Sequence, residues 1–183
     1  MKKFFICIIL FICTPAFAQV YIVDSVIDGD TLRLTNGKLV DLIGIDCLEI
    51  EENAKTQRDS EQMHRDVKTV TRMGKQTVKF VKSLIGPGEK VLLKFDTKKK
   101  DKYGNLLAYV YLYLCGSDCM IDVEDGVELA AMDEGTYCFL NATIIGSGYA
   151  LPASVPPNET YTALFNRLYE EARSHGRGLW KNK

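Results

Sequence analysis

Five stretches of the chain show the alternating or β-branched hydrophobic pattern of short β-strands. They are residues 20–27, 32–34, 39–45, 91–95 and 106–114. Because successive side chains of a strand lie on opposite faces, each stretch can bury one face in a core. Asn36-Gly37 lies between the second and third stretches and strongly indicates a tight hairpin turn. Five short strands of this kind predict a five-stranded barrel of the OB type.

Two further stretches have the apolar spacing of helices. Residues 72–85 form one, which ends at the Gly-Pro-Gly sequence 86–88, and residues 160–174 form the other. The polar residues 51–71 have no clear period and are predicted to be mainly loop. The pattern therefore predicts a mainly β protein with helices (α+β). We expect about three helices beside the barrel, of which these two have a clear apolar spacing.

The first 18 residues differ in composition from the rest of the chain. Lys2 and Lys3 precede an apolar run over 4–13 and a small-residue site at 16–18. This order is typical of a secretory signal peptide, and the apolar run is too short to span a bilayer comfortably. We therefore expect cleavage before Gln19, export to the periplasm or the cell exterior, and a mature domain over 19–183 without a transmembrane anchor.

The chain has 23 Lys and Arg against 24 Asp and Glu, a net charge of −1. Without Lys2 and Lys3, 21 cationic residues face 24 acidic ones, so the mature chain carries −3, which disfavours nonspecific nucleic-acid binding. The charges are unevenly distributed, because residues 55–102 are rich in Lys and Arg whereas residues 103–166 contain neither. A basic half can therefore bind a polyanion only if the acidic half lies away from the binding cleft.

Carboxylates cluster at both ends of the predicted hairpin. Asp30 lies in the sequence Asp-Gly-Asp-Thr before the first strand, and Asp46 and Glu49 follow the second. Because a hairpin returns the chain to its origin, these three carboxylates are expected to converge. A site of this kind suits calcium, which binds six to eight oxygens, better than zinc, which prefers His and Cys. The alternative is that they are ordinary turn residues.

A third motif, DKYGNLLAYVY, follows at residues 101–111, and GRGLW ends the pattern at 176–180. In this order the motifs resemble the staphylococcal nuclease (thermonuclease-like) family over about residues 20–180, with one insertion. The resemblance implies an OB-type barrel with helices that binds a calcium ion. In this family the ion polarises a phosphodiester of DNA or RNA, a glutamate activates water, and two arginines clamp the phosphate.

The resemblance assigns a site residue by residue. It places the metal carboxylates at Asp30 and Asp46, the metal-binding backbone carbonyl at Cys47 and the general base at Glu49. The two arginine positions fall on Asp41 and Asn105. Since arginine is a planar, permanently charged partner for a phosphoryl group, both losses weaken transition-state stabilisation. If the losses were additive, hydrolysis would be slower by roughly 10⁴–10⁶.

Other residues are candidates for phosphate or base contacts. Arg33 alternates with the apolar residues of its strand, so it is expected to face away from the carboxylates. Lysines 98–100 and Lys102 either swing toward a phosphate or form a solvated turn. The resemblance assigns nucleotide binding to Lys102 and Tyr103, and Tyr103 offers a surface on which a base can stack.

The segment at about 115–138 has no counterpart in the resemblance. It is acidic and contains Cys115, Cys119 and Cys138. Export permits disulfides, and with Cys47 the four mature cysteines allow three full pairings. A Cys115–Cys138 bond would close the neck of the insertion. A zinc knuckle is one alternative, although no nearby His or C-x₂-C unit supports it. An ordinary acidic loop with incidental thiols is the other.

Two function classes are therefore open. The first is an exported, calcium-dependent nuclease whose hydrolysis of DNA or RNA is strongly impaired. The second is a catalytically inactive, nuclease-derived binding module whose insertion or barrel surface contacts a protein or envelope partner. The retained carboxylates favour a working metal site, whereas the missing arginines argue against efficient hydrolysis.

Overall fold

The computed structural model describes residues 19–114 and 136–181. The predicted signal peptide and most of the insertion, including Cys115 and Cys119, lie outside these residues. The elements are β1 Gln19–Val26, β2 Thr31–Leu34, β3 Leu39–Leu42, β4 Ile45–Asp46, α1 Ala54–Met63, α2 Val67–Leu84, β5 Lys90–Lys94, β6 Leu106–Leu114, β7 Thr136–Phe139, α3 Leu140–Gly146, β8 Leu151–Pro152 and α4 Thr162–Ser174. A short 3₁₀ turn over Gly178–Trp180 follows α4.

Five strands close into a mixed barrel, which confirms the predicted OB-type fold. Their order is β3-β2-β1-β5-β6, and each neighbouring pair is antiparallel. A parallel pairing between β3 and β6 closes the barrel, with Val40 opposite Leu106 and Asp41 opposite Leu107. β7 extends the sheet beyond β6. The closing pair therefore joins two strands that are far apart in the sequence.

The alternation of side chains accounts for the barrel core. Leu32 and Leu34 of β2 are buried, whereas Arg33 between them is exposed, as the alternation predicted. β6 is buried from Leu106 to Leu112, because α3 also packs against this strand. An aromatic cluster extends this packing to α4, and its members include Tyr109, Tyr111, Phe139, Tyr161 and Phe165. The barrel therefore has an interior core and an outer aromatic layer.

The prediction of a loop over 51–71 is wrong. α1 occupies Ala54–Met63, and α2 begins at Val67 rather than at residue 72. Asn53 caps α1 by accepting hydrogen bonds from the backbone of Lys55 and Thr56. Thr56 is the single buried residue of α1, so end-capping rather than an apolar stripe defines this helix. The described residues consequently contain four α-helices rather than about three.

The predicted third strand is divided in two. β3 ends at Leu42, and the Ile43 amide makes the last ladder bond to the Ala108 carbonyl. A turn at Ile43-Gly44, where Gly44 has a positive φ of 85°, then leads the chain away from the barrel. β4 pairs instead with β8, with Ile45 opposite Pro152. The last helix begins at Thr162, two residues later than predicted. The break after β3 matters for the site, since it positions Asp46 and the residues that follow.

Asn141 joins three parts of the fold from a fully buried position in α3. Its side-chain oxygen accepts a hydrogen bond from the Val110 amide at 3.0 Å, and its side-chain nitrogen donates to the Ile43 carbonyl at 2.9 Å. Both backbone groups would be left buried without partners if the amide were removed. Asn141 therefore fixes the turn after β3 against β6 and α3.

We expect Asn141→Ala to lower the free energy of unfolding by about 2–5 kcal/mol, because each buried polar group left unpaired costs about 1–3 kcal/mol. Urea denaturation followed by circular dichroism measures this change. Asn166→Ala is the matched control, because Asn166 is exposed on α4. Equal stabilities of the two variants would contradict this assignment to Asn141.

Candidate active site

Two backbone turns meet at the predicted metal site. The Asp30 carboxylate accepts a hydrogen bond from the Cys47 amide at 2.6 Å, and the Asp28 carboxylate accepts one from the Asp30 amide at 3.1 Å. Gly29 packs so closely that a Cβ there would lie 2.6 Å from both Cys47 Cβ and Thr77 Cγ2. Only glycine fits this approach. The turn before β2 is therefore fixed directly against the residue after β4.

Glu49 is supported from two directions. Its backbone lies against α2 at Gly74, where a Cβ would lie within 2.6 Å of both the Leu48 carbonyl oxygen and the Glu49 carbonyl carbon. The Leu48 side chain packs with Val70 of α2 in a small apolar cluster. One carboxylate oxygen of Glu49 accepts a hydrogen bond from the side-chain nitrogen of Asn53 at 3.1 Å. The capping residue of α1 thus also orients the predicted general base.

The ammonium group of Lys55 lies among the predicted metal-binding oxygens. Its nitrogen is 3.2 Å from Asp46 Oδ1, donates to the Cys47 carbonyl at 2.8 Å and is 3.8 Å from Glu49 Oε1. A fourth oxygen, Asp59 Oδ2, is 3.1 Å away and comes from the next turn of α1. The side chain of Lys55 is 25% exposed. A tethered cation therefore contacts the carboxylate, carbonyl and base assigned to the metal site.

The sequence interpretation missed Lys55, because it predicted a loop where α1 lies. The detectable signal was the pair Asn53 and Thr56. The Asn53 side chain accepts a hydrogen bond from the Thr56 backbone amide, and the Thr56 hydroxyl accepts one from the Asn53 backbone amide. This reciprocal pair is a capping box, which marks the start of a helix. A helix that begins after Asn53 presents Lys55 in its first turn, on the side of the hairpin carboxylates.

The charges of this corner oppose one another. Burial raises the pKa of Asp46, although Lys55 acts in the opposite direction. Burial lowers the pKa of Lys55, but its neighbours Asp46 and Asp59 outweigh that effect, so its pKa is raised and the ammonium stays charged. Burial and the Asp28 charge raise the pKa of Asp30 well above its ordinary value. Burial is therefore the first cause of the raised pKa of both Asp30 and Asp46, and Lys55 opposes it at Asp46.

The donor set fits a hard cation. The donors include the Asp46 carboxylate and the Cys47 carbonyl, which are oxygens of the kind calcium prefers. The Lys55 ammonium is a stand-in ion, since it already contacts these oxygens and Glu49. However, no three His, Cys, Asp or Glu side chains in the described part of the chain form a group close enough to hold a metal together. Calcium would fit only after Lys55 moved out.

The two positions that the resemblance assigns to arginines meet at the closing edge of the barrel. The Asn105 side-chain nitrogen is 3.5 Å from Asp41 Oδ2 and donates to Asp101 Oδ2 at 3.1 Å. Thr31 Oγ donates to Asp41 Oδ1 at 3.4 Å. Burial and the nearby Asp101 charge raise the pKa of Asp41. A hydrogen-bonded pair of an acid and an amide thus occupies the place where the resemblance puts the two phosphate-clamping arginines of the family.

The remaining predicted nucleotide-binding residues lie on the loop between β5 and β6. Tyr103 is 77% exposed, and the Lys102 ammonium lies 4.9 Å from its ring centroid. The Tyr103 amide donates to the Asp101 carboxylate at 2.8 Å, which fixes the backbone of the turn. Lysines 98–100 are also exposed. The ring of Tyr103 is therefore accessible to a ligand.

The cysteine predictions are only partly within the described residues. Cys138 is buried on β7, with its sulfur 3.0 Å from Thr143 Oγ. Cys47 is buried and forms no disulfide with a described residue. Burial and the charge of Asp30 raise the pKa of the Cys47 thiol. Since Cys115 and Cys119 lie outside the described residues, the Cys115–Cys138 bond and the zinc knuckle stay predictions.

The sequence comparisons agree with this geometry. Residues 39–182 match the model of a family described as staphylococcal nuclease homologue. The chain belongs to the staphylococcal nuclease family. Its relatives include thermonucleases of Staphylococcus intermedius and Staphylococcus hyicus, each 27% identical, over 92% and 90% of this chain and 80% and 77% of their own lengths.

A third relative is much longer than this chain. Endonuclease YhcR of Bacillus subtilis (strain 168) is 26% identical over 87% of this chain, and the match spans only 11% of its own length. The comparison with that protein therefore concerns one domain of a larger molecule. No helix within the described ranges is long and apolar enough to cross a membrane.

The raised carboxyl pKa values predict a pH dependence of stability. The folded protein holds its proton on Asp30 to a higher pH than the unfolded chain, whose ordinary value is 3.8. The unfolding free energy should therefore fall as pH rises from about 4 through the raised pKa. In calcium-free buffer, Asp30→Asn should reduce this fall and stabilise the protein at neutral pH.

Urea denaturation at a series of pH values measures the slope. Asp24→Asn is the matched control, because Asp24 is an exposed residue of β1. The slope of this control should equal that of the natural chain. An unchanged slope in Asp30→Asn would show that burial of this carboxyl does not govern the pH dependence.

Proposed function

We propose that the protein is an exported, calcium-dependent nuclease-family protein whose hydrolysis of DNA or RNA phosphodiesters is strongly impaired. The observation that carries this proposal is the contact between Asn105 and Asp41, at the two positions expected to clamp phosphate. Hydrolysis builds negative charge on the phosphoryl oxygens, and an ionised Asp41 repels that charge whereas arginine would stabilise it. The family membership supports nucleic acid as the substrate class, and the sequence of residues 1–18 supports export.

Each predicted site residue then has one role. Asp30, Asp46 and the Cys47 carbonyl would hold calcium, which when bound supplies Lewis-acid polarisation and charge neutralisation at the phosphate. Glu49 would accept the proton of the attacking water, oriented by its hydrogen bond from Asn53. The amide of Asn105 can donate a neutral hydrogen bond to a phosphate oxygen, which is weaker than a guanidinium contact. The exposed ring of Tyr103 would stack on a base.

Lys55 adds a competition that the family resemblance did not predict. Its ammonium contacts Asp46 and the Cys47 carbonyl, so calcium must displace it before both oxygens can bind the ion. We expect a calcium dissociation constant of roughly 10⁻⁴–10⁻³ M, as for other extracellular sites. Part of this weakness comes from Lys55, because displacing it breaks its interaction with the same oxygens.

Lys55→Met tests this competition. The substitution removes the charge but keeps an unbranched side chain, and calcium affinity should rise about tenfold or more, since an energy change of about 1.4 kcal/mol is tenfold in affinity. Isothermal titration calorimetry measures the dissociation constant. Lys75→Met is the matched control, because Lys75 is exposed on α2. Asp30→Ala should abolish calcium binding, and an unchanged affinity in Lys55→Met would contradict the competition.

Restoring the two guanidinium groups tests the impairment. Asp41→Arg with Asn105→Arg should raise calcium-dependent cleavage by several orders of magnitude, because each preorganised donor contributes about 10²–10³ in rate. Glu49→Gln should then erase the gain. The control is Asp24→Arg with Asn36→Arg, which makes the same charge changes at exposed positions. Cleavage of a fluorogenic oligonucleotide measures all four proteins.

Three outcomes of this experiment separate the explanations. Family-like cleavage by the natural chain would refute the impairment. An equal gain in the control would show that general charge, rather than the clamp positions, limits binding. A double-arginine variant that folds and binds calcium yet stays inert would favour the second class of function, an inactive binding module for a protein or envelope partner.

A further inference from the structure

A groove of about 800 Å³ lies along α2, outside the candidate active site. We call it the α2 groove and define it by six of its lining residues, which are Arg65, Arg72, Lys79, Phe80, Tyr149 and Lys181. Tyr149 follows α3 and Lys181 follows the 3₁₀ turn, so three distant parts of the chain form the walls. Neither the metal-site carboxylates nor the Asp41–Asn105 pair contributes to it.

The charge of the α2 groove is uniformly positive. Four of its lining residues are cationic, and its described lining contains no Asp or Glu. Arg72 and Lys79 lie two turns apart on one helix, which separates them by about 10.5 Å along the axis. None of the four cations forms a salt bridge within the described residues. Asp66, the closest helix-capping acid, is engaged by the amide and hydroxyl of Thr69.

An aromatic pair accompanies these charges. The rings of Phe80 and Tyr149 are stacked, with centroids 4.2 Å apart and planes inclined by 14°. Both residues are partly exposed and line the groove. A planar ligand group can extend such a stack, because an offset stack of rings leaves its outer faces available. The groove therefore offers positive charge for an anion and a ring surface for a planar group.

α2 connects this groove physically with the candidate active site. Met73 lines the groove and also packs in the apolar cluster that contains Leu48. The next residue, Gly74, lies against the backbone of Glu49. One helix therefore supports the predicted general base on one side and forms the wall of the groove on another. A ligand in the groove would lie outside the metal site but would still contact α2, the helix that also supports Glu49.

We propose that the α2 groove is a separate binding site for single-stranded nucleic acid. Spaced cations with an adjacent stacking surface are the combination that single strands require, because their phosphates need positive charge and their unpaired bases have free faces. An acidic peptide or inorganic polyphosphate would use the cations but would gain little from the aromatic pair. The site binds without hydrolysis, so its occupancy does not depend on catalysis at Glu49.

Fluorescence anisotropy with a short labelled oligothymidylate tests the site. The measurement is made on the mature protein in EDTA, so that neither calcium nor cleavage contributes. Arg72→Gln with Lys79→Gln should weaken binding tenfold or more. It should also reduce the slope of log K against log salt by about 1.4, since each phosphate contact on a single strand contributes about 0.7.

Two further variants make the test specific. Lys75→Gln with Lys82→Gln removes the same charge from exposed positions of α2 outside the groove, and should change binding less than twofold. Tyr149→Leu should weaken binding about tenfold with an unchanged salt slope, because stacking carries no charge. Thermal melting by circular dichroism checks that each variant is folded.

The remaining outcomes would overturn the proposal. Equal weakening by the Arg72/Lys79 and Lys75/Lys82 double variants would mean that the general charge of α2 attracts the strand. An unchanged affinity in Tyr149→Leu would mean that any polyanion suffices, and inorganic polyphosphate would then compete equally well. Absence of binding by the natural chain would exclude the site. If this binding is retained but the separate calcium-dependent cleavage assay shows no hydrolysis even in the double-arginine variant, only the proposed catalytic function is contradicted.

Discussion

The hydrogen bond from the Cys47 amide to the Asp30 carboxylate is the interaction on which the candidate site depends. It joins the turn before β2 to the segment after β4 at 2.6 Å, and Gly29 makes this approach possible. Burial and the Asp28 charge raise the pKa of Asp30, whereas this hydrogen bond opposes the rise by stabilising the charged carboxylate. The Asp30 carboxylate therefore holds the turn before β2 against the residue after β4, in addition to its proposed role as a metal ligand.

Electrostatic balance is the second theme of the structure. The predicted metal site contains an internal cation, Lys55, and the predicted phosphate site contains an acid, Asp41, paired with a neutral amide. Each change reduces the attraction between the site and its expected ligand. In contrast, the α2 groove combines four cationic residues with the stacked rings of Phe80 and Tyr149. The α2 groove and the candidate active site therefore lie on different surfaces of one domain and differ in their charge.

The sequence predicted the barrel well because strand alternation is a local and repetitive signal. Leu32, Arg33 and Leu34 show it directly, since the burial of these residues follows the predicted order. It predicted α1 poorly, because this short helix depends on hydrogen bonds at Asn53 rather than on an apolar stripe. Lys55 was missed for the same reason. The position of its ammonium depends on a helix start and on three oxygens that only the folded chain brings together.

The parallel pairing of β3 with β6 has a consequence for the order of folding. Its partners Val40 and Leu106 are separated by more than a third of the chain, so closing the barrel requires a large loss of chain entropy before any contact across the seam is gained. The hairpin of β2 and β3 is local and can form early, whereas the seam must wait for β6. Asp41 and Asn105 lie at that seam, so the two positions come together only when β3 and β6 have paired.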